Sequence, residues 1–477
     1  MNFRFIATTL GKTVLITAVF LFAPLVVALI YGEDAWKGYL VAIASSGLTG
    51  ALLTRFEDKE QKGGIRDGFV IVSFCWVLIS VFGALPFVVN GSIPSFIDAF
   101  FETVSGFTTT GASIVTDFSL LSKADLFWRS LTHWLGGMGV LVLLLVFHRG
   151  NRGSLHLLRA EAPGPTVSKL VPKLGDTART LYGIYLTLTA GMVLVLVLLG
   201  APLFDALVLT FGTAGTGGFA MTAASLADYS VAIQWVVGIC MILFGINFSV
   251  YYLIMTRRLR EVFRHEETKV YLAIVVATVA LITWNIYGMY EQLGTALKDA
   301  VFQVASVVST TGFATADFNL WPTFSKMILV TLMLMGASAG STAGGLKVAR
   351  VMILFQSVRN RIIELVRPNL VTVVKFEGKR ASDEQVRGVG NYLTVYVSAM
   401  IASMILLALE GFDFETTTTA VIACFNNIGP GLGLVGPAGG YAMFGDFGKL
   451  LLSFNMLFGR LEIYPLLIAF TYRGWRR

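Results

Sequence analysis

Long apolar runs separated by short charged stretches dominate this chain. Uncharged runs cover Thr13–Tyr31, Phe69–Val89, Leu181–Leu199, Val231–Thr256, Val270–Tyr290 and Met327–Leu346. Each reaches the roughly 20 residues a helix needs to cross a hydrocarbon core. Gly38–Thr54, Leu131–Phe147 and Tyr392–Leu409 are shorter or less clean but follow the same pattern, and Leu450–Tyr472 is interrupted by Arg460 and Glu462. The pattern predicts ten membrane spans. Four further apolar segments, at Asp98–Phe107, Asp205–Thr213, Asp299–Val308 and Thr416–Phe425, are too short to cross. They read as re-entrant helices, which are tolerated only where protein or a water-filled cavity surrounds them.

These four segments align. Asp98-Ala99, Asp205-Ala206 and Asp299-Ala300 each begin 13 residues before a glycine, at Gly111, Gly218 and Gly312, and Thr416 begins 13 before Gly429. The glycines sit in Thr109-Thr110-Gly111, Thr216-Gly217-Gly218, Thr310-Thr311-Gly312 and Asn427-Ile428-Gly429. A fixed spacing repeated between apolar spans marks an internal repeat. Each Asp is expected to cap the outer end of a short helix. The helix's negative end then points to mid-membrane, where a cation would sit. Beyond it, glycine lets the backbone turn its carbonyls toward an axis, and four such strands replace a cation's hydration shell. A single Thr-Thr-Gly is an ordinary turn; four in register predict a filter.

The fold expected is an all-α polytopic membrane protein. Two N-terminal transmembrane helices occupy 1–66. Four membrane–pore-loop–membrane repeats follow at 67–160, 161–265, 266–370 and 371–477, around one pore.

Composition agrees: 55% of the 477 residues are hydrophobic and 14% charged, too few charges to solvate a soluble surface of this size. Basic residues set the orientation. With a cytoplasmic N-terminus, the inside segments Arg4–Lys12, Arg55–Arg66, Arg149–Arg179, Arg257–Lys269, Arg350–Arg387 and Arg473–Arg477 hold 28 of 36 Lys and Arg. This asymmetry places both termini in the cytoplasm and accounts for the net charge of +7 without a nucleic-acid partner. Cys75, Cys240 and Cys424 each lie alone in apolar runs, so neither a disulfide framework nor a metal-ligand spacing is present. The first apolar run lacks a small-residue cleavage site and is expected to be a retained span.

Below the filter, the eighth span carries ten small residues, Gly336 to Gly345, ending at Lys347. Such a run weakens a helix. It reads as an irregular gating segment that includes Gly336, Ser338, Gly340, Gly344, Gly345 and Lys347, with close helix packing through small residues as the rival account. Gly136-Gly137-Met138-Gly139, Gly245, Gly336 and Gly459 are candidate bends in the spans after each filter loop. Arg460, deep in the last span, is costly in lipid and must face protein or water. It is expected to bond the carbonyls of the glycine-rich segment and oppose cation leak.

The motifs Thr108-Thr109-Thr110-Gly111-Ala112, Ser309-Thr310-Thr311-Gly312-Phe313, Asn426-Asn427-Ile428-Gly429-Pro430-Gly431 and Gly459-Arg460-Leu461-Glu462 resemble those of the TrkH family of bacterial potassium-uptake subunits, within the Trk/Ktr/HKT superfamily. The resemblance covers nearly the whole chain, and the two extra N-terminal spans resemble TrkH more than the eight-span KtrB type. It implies K⁺ uptake across the bacterial inner membrane, an intramembrane gating loop in the third repeat and a pore-facing arginine in the last span. It also implies a homodimer embedded in membrane lipid, each protomer with its own pore, working with a cytosolic nucleotide-binding ring of the TrkA kind. Glycine at all four filter positions fits K⁺; Ser at the first implies Na⁺ preference in relatives. Loop 2 departs from the pattern, with Gly217 where loops 1 and 3 have Thr.

Three other readings compete. A K⁺/H⁺ symporter needs intramembrane carboxylates, for which Glu102 and Glu462 are the candidates near the path. A Na⁺-permeable cation channel shares the architecture. Gly336-x-Ser338-x-Gly340 formally matches a hydrolase elbow, but His133, His148, His156 and His265 all precede Ser338 and no strand leads into it, which argues against an intramembrane serine protease. The chain is therefore read as a transporter, not an enzyme. It shows neither a Gly-x-Gly-x-x-Gly after a strand nor a Walker loop. K⁺ is its expected ion, no organic cofactor is expected, and nucleotide control would come from the partner, docked on basic loops such as Arg350–Arg387.

Overall fold

The computed structural model describes residues 1–56, 64–139 and 174–471. The basic stretch at 149–173, the end of the Leu131–Phe147 span, His148, His156 and Arg473–Arg477 lie outside the described residues. Helices α1 (Phe3–Phe20) and α2 (Phe22–Tyr31) run on as one span of 29 residues, and α3 (Trp36–Thr54) returns beside them. Gly32 ends α2 in the left-handed conformation at φ 67°, as a helix-terminating glycine does. A Cβ on Gly11 would lie 2.8 Å from the Leu53 Cβ and 2.9 Å from the Gly50 carbonyl. Small residues thus let α1 and α3 approach backbone to backbone.

A long helix, a short helix, an extended loop and a second helix then follow one another four times. The first unit is α4 (Ile65–Asn90), α5 (Phe96–Phe107) and α6 (Lys123–Gly137). The second is α7 (Leu174–Leu198), α8 (Leu203–Gly215) and the pair α9 (Val231–Phe244) and α10 (Phe248–Met255), followed by the single turn α11 (Leu259–Val262). The third is α12 (Glu266–Ile286), α13 (Leu293–Val308), α14 (Thr323–Met335) and α15 (Val348–Val366). The fourth is α16 (Asp383–Leu407), α17 (Phe414–Phe425), α18 (Asp446–Arg460) and α19 (Tyr464–Phe470). The one strand pair among the described residues is a hairpin, Lys375–Phe376 against Lys379–Arg380.

This is an all-α multi-pass membrane architecture. Large apolar side chains such as Leu198, Trp284, Phe355 and Leu409 face outward with at least 75% of their surface exposed. So much apolar exterior is stable only against lipid. The four short helices are the reverse, buried along most of their length.

Three spans are broken rather than straight. The apolar run Val231–Thr256 is not one helix: α9 and α10 meet at 92°. The break falls at Gly245, and the Asn247 side chain accepts from the Ser249 N–H at 2.9 Å to start α10. Helix α14 stops at Gly336, with no helix until Val348. Helix α18 ends at Arg460, and Glu462 and Ile463, at φ 56° and 63°, turn the chain into α19. Gly136 and Gly459, candidate bends, lie one residue before the ends of α6 and α18, and a β-carbon there would collide with the carbonyls of Phe107 and Phe425, so they also serve close packing. The aspartates of the repeat are not caps either. Ser95 and Asp413 cap α5 and α17, while Asp98, Asp205 and Asp299 pair with Lys449 at 2.6 Å, Tyr229 at 3.1 Å and Thr315 at 2.9 Å. A side chain already inside the helix reaches neighbouring elements more readily than its own free N–H groups.

Candidate functional site

The short helices α5, α8, α13 and α17 end in the same backbone signature. A non-glycine residue in the left-handed region follows each helix end, Thr109, Thr216, Thr310 or Asn427, all with φ between 55° and 58°. Two residues later comes a glycine with positive φ: Gly111 at 78°, Gly218 at 69°, Gly312 at 89° and Gly429 at 93°. A left-handed side-chain-bearing residue costs about 1–2 kcal/mol. Four at matched places mean that the surrounding structure holds this shape, as strained functional backbone requires.

The loops close on one another. A Cβ on Gly111 would come closer than 3.0 Å to the Gly217 carbonyl oxygen, on Gly218 to that of Thr311, on Gly312 to that of Ile428, and on Gly429 to that of Thr110. Each glycine therefore abuts the carbonyl of the residue just before the glycine in the next loop, and the fourth returns to the first. Thr110, Gly217, Thr311 and Ile428 bring their carbonyls into a single ring, and the negative ends of four helix dipoles converge beside it. Among the described residues no group of three His, Cys, Asp or Glu side chains is arranged to hold a metal ion. The ring's oxygens are neutral carbonyls.

Side chains behind the ring fix its shape. In loop 1 the Thr108 and Thr110 hydroxyls bond at 2.8 Å, and in loop 3 Ser309 and Thr311 do so at 2.7 Å. Asn427 donates to the Thr110 hydroxyl at 3.0 Å and to the Met456 carbonyl at 2.9 Å, tying loop 4 to loop 1. Tyr441 donates to the Gly429 carbonyl at 2.7 Å. Loop 2 has glycine at both hydroxyl positions, Gly215 and Gly217, and the buried His133 of α6 lies against them.

A buried ion pair supports loops 1 and 2. The guanidinium of Arg129 lies 2.7 Å from Glu102, and its remaining donors reach the Ala220 carbonyl at 3.2 Å and the Ser113 hydroxyl at 3.0 Å. Glu102 also accepts from the Ile114 N–H at 2.9 Å. Glu102 thus braces loop 1 against α6, with Arg129 and Ser113 on one carboxylate oxygen and the Ile114 N–H on the other.

Under the ring lies the irregular stretch 336–347. Gly336, Gly340, Gly345 and Lys347 all have positive φ, 66° to 77°. The Gly344 N–H donates to the Thr310 hydroxyl at 2.8 Å, and a Cβ on Gly344 would meet the Asn426 carbonyl and the Asn427 side chain. The stretch therefore presses against loops 3 and 4, and small residues are what permit it. Arg460 bonds the Thr342 carbonyl at 2.8 Å, the Thr109 hydroxyl at 3.2 Å and the Gly136 and Gly137 carbonyls at 2.5 and 2.7 Å. One guanidinium joins the stretch, loop 1 and the end of α6. Lys347 turns inward and donates to the Ala343 carbonyl. Glu462, the other candidate proton carrier, pairs with Arg350 at 2.7 Å.

From below, the stretch is held by a contact chain that the sequence did not reveal. The Glu267 carboxylate accepts from the Ala339 N–H at 2.6 Å and the Ala349 N–H at 3.2 Å. Glu377, at the hairpin tip, accepts from the Glu266 and Glu267 N–H groups at 3.1 and 2.9 Å, capping α12. The break in the second unit joins in: Ser338 N–H donates to the Gly245 carbonyl at 3.1 Å and Phe248 N–H to the Gly340 carbonyl at 3.0 Å. The Ser338 hydroxyl has no hydrogen-bond partner among the described residues, so no base there activates it. His133, Arg129, Glu267 and Glu377 escaped the sequence reading; glycine at 217, where threonine was expected, was the one local sign of the first.

The chain is matched by a family model, TrkH, described as a cation transport protein, over residues 36–473. The Trk system potassium uptake protein TrkH of Salmonella typhimurium is 35% identical over 487 residues, covering 100% of both chains. The Trk system potassium uptake protein TrkG of Escherichia coli is 33% identical, covering 99% of each. The crystal structure of the potassium transporter TrkH from Vibrio parahaemolyticus superimposes with a TM-score of 0.89 at 31% identity, covering 100% of both chains.

Proposed function

The chain belongs to the TrkH family of cation transport proteins, and from that premise we propose that it takes up K⁺ through a channel-like pore at the carbonyl ring. The observation that carries this reading is the closure of four loops into one ring, each glycine against the next loop's carbonyl. Thr109, Thr110 and Gly111, Thr216, Gly217 and Gly218, Thr310, Thr311 and Gly312, and Asn427, Ile428 and Gly429 form the filter in this reading. Their oxygens replace the water that a K⁺ ion sheds. The four quarters correspond to 67–160, 161–265, 266–370 and 371–477. The stretch from Gly336 to Lys347 and the side chain of Arg460 form the gate: the segment lies under two loops, and the guanidinium pins it with positive charge.

Proton-coupled symport is the weaker reading, because both carboxylates near the path are committed to arginines. The basic asymmetry of the sequence supports cytoplasmic termini in the bacterial inner membrane. A homodimer and a TrkA-like cytosolic ring complete the proposal, the ring acting on the face that carries the hairpin.

Flux into liposomes holding this chain alone, compared for K⁺, Rb⁺, Na⁺ and Li⁺, tests the reading, with Gly111→Ser alongside. The added Cβ pushes on the Gly217 carbonyl and sits at an unfavourable φ of 78°, so Na⁺ entry should rise. Flux that requires a proton gradient, or a substitution without effect on ion preference, would overturn it.

A further inference from the structure

We infer that His133 is a selectivity-positioning residue, filling from helix α6 the place behind loop 2 that hydroxyl side chains fill behind loops 1 and 3. The inference rests on the reading of the ring as the filter.

In loops 1 and 3, the residues three and one before the glycine are Thr108 and Thr110, and Ser309 and Thr311. Their bonded hydroxyls support the backbone that presents the ring carbonyls. Loop 2 has Gly215 and Gly217 at these places. A Cβ on Gly217 would come closer than 3.0 Å to Nδ1, Cγ and Cε1 of His133, and one on Gly215 would overlap the His133 backbone carbonyl. The imidazole thus occupies the volume that a threonine would need. Gly217 is the counterpart of the imidazole and Gly215 of the α6 backbone at His133, and no side chain can return at 217 while His133 stays.

His133 also does what the hydroxyls do. The Phe219 N–H donates to Nε2 at 3.2 Å, which requires Nε2 to be unprotonated. The Nδ1–H then donates to the Gly106 carbonyl at 2.8 Å. Neutral imidazole has one donor and one acceptor, and this tautomer satisfies both contacts at once. The ring therefore links the end of α5 to the residue just after Gly218, and it packs on the Phe219 ring with centroids 4.2 Å apart. It holds in place the Gly217 carbonyl, the same oxygen that abuts Gly111.

The test is the ratio of Rb⁺ to Na⁺ flux in liposomes, normalised to monodisperse protein, for His133→Ala, Gly217→Thr and the pair combined. A merely structural histidine changes the yield of folded protein but not this ratio. His133→Ala should lower the ratio by roughly tenfold or more, the scale of one buried donor and acceptor left unpaired. Gly217→Thr alone should abolish conduction or folding, and adding His133→Ala should restore conduction, because the threonine then has the volume that the imidazole vacates. An unchanged ratio in His133→Ala, or a double variant no better than Gly217→Thr, would overturn the inference. Gly111→Ser separates the two readings: if it shifts the ratio and His133→Ala does not, only the role of His133 falls, and if neither does, the filter reading falls too. Should His133→Ala fail to fold, ¹⁵N NMR of histidine-labelled wild-type protein decides. Protonated Nδ1 with bare Nε2 at His133 supports the role, and the opposite tautomer refutes it.

Discussion

Replacing Arg460 by alanine tests the proposed gate. The guanidinium makes four hydrogen bonds, but they do not weigh equally on opening. Those to Gly136, Gly137 and Thr109 join α18 to helix α6 and loop 1, elements expected to stay put when the path opens. Losing them costs stability in both states. Of these four, the bond to the Thr342 carbonyl ties the movable stretch. A charge-assisted hydrogen bond contributes about 1.5–3 kcal/mol, so its loss should shift the closed-to-open ratio by roughly 10- to 150-fold. Removing a fixed positive charge from a low-dielectric path lowers the barrier to cations further, in the same direction. Resting ⁸⁶Rb⁺ uptake into liposomes should therefore rise at least tenfold, while the thermal midpoint in detergent falls. Arg460→Lys should lie between, because an ammonium keeps the charge but cannot reach four acceptors with a planar fork. A lower thermal midpoint with unchanged resting flux would refute the gating role and leave Arg460 as a structural staple.

Further outcomes follow from the contacts around the ring. Glu267→Ala removes the acceptor of Ala339 and Ala349 N–H groups and should raise resting flux, though less than Arg460→Ala; equal or lower flux in patch recordings would count against the latch. Glu377→Ala uncaps α12 and should produce a smaller change of the same sign, visible as faster amide exchange at Glu266 and Glu267. Arg129→Met should cost about 3–5 kcal/mol by stranding the Glu102 charge, and Arg129→Met with Glu102→Gln should recover part of it in thermal melts; additive losses would show that the two do not act as a pair.

Much of the architecture was legible because membrane solvation imposes strong local rules. The 13-residue spacing led to the four short helices and the glycines after them, since a backbone at positive φ in tight contact admits little else. The ten small residues ending at Gly345 likewise announced a segment without a regular helix. Other features were hidden by their nature. Gly245 marked a bend, but nothing local in an unbroken apolar run sets it at 92°; contacts with the stretch 336–347 hold it. The aspartates of the repeat looked like caps because capping is a local rule, whereas Tyr229, Thr315 and Lys449, which they bond, lie 16 or more residues away. His133 reads from sequence as one histidine in an apolar helix, and its meaning comes from glycines more than 80 residues later. Arg129 and Glu102 gave no hint of each other, being 27 positions apart on different helices.

The ring's encoding has a further consequence. In an assembly of four identical chains, a substitution near the pore arrives in four copies at once. Here each quarter is written separately, so a change arrives as a single dose, and the loops have diverged into Thr-Thr, Thr-Gly, Thr-Thr and Asn-Ile before their glycines. The contacts also run one way round, from each glycine to the following loop. Changes at neighbouring glycines should then interfere, while changes at opposite ones, such as Gly111 and Gly312, should combine almost independently. With the ring as the proposed filter, ion preference becomes something that mutation can adjust by quarters, in a chosen rotational order.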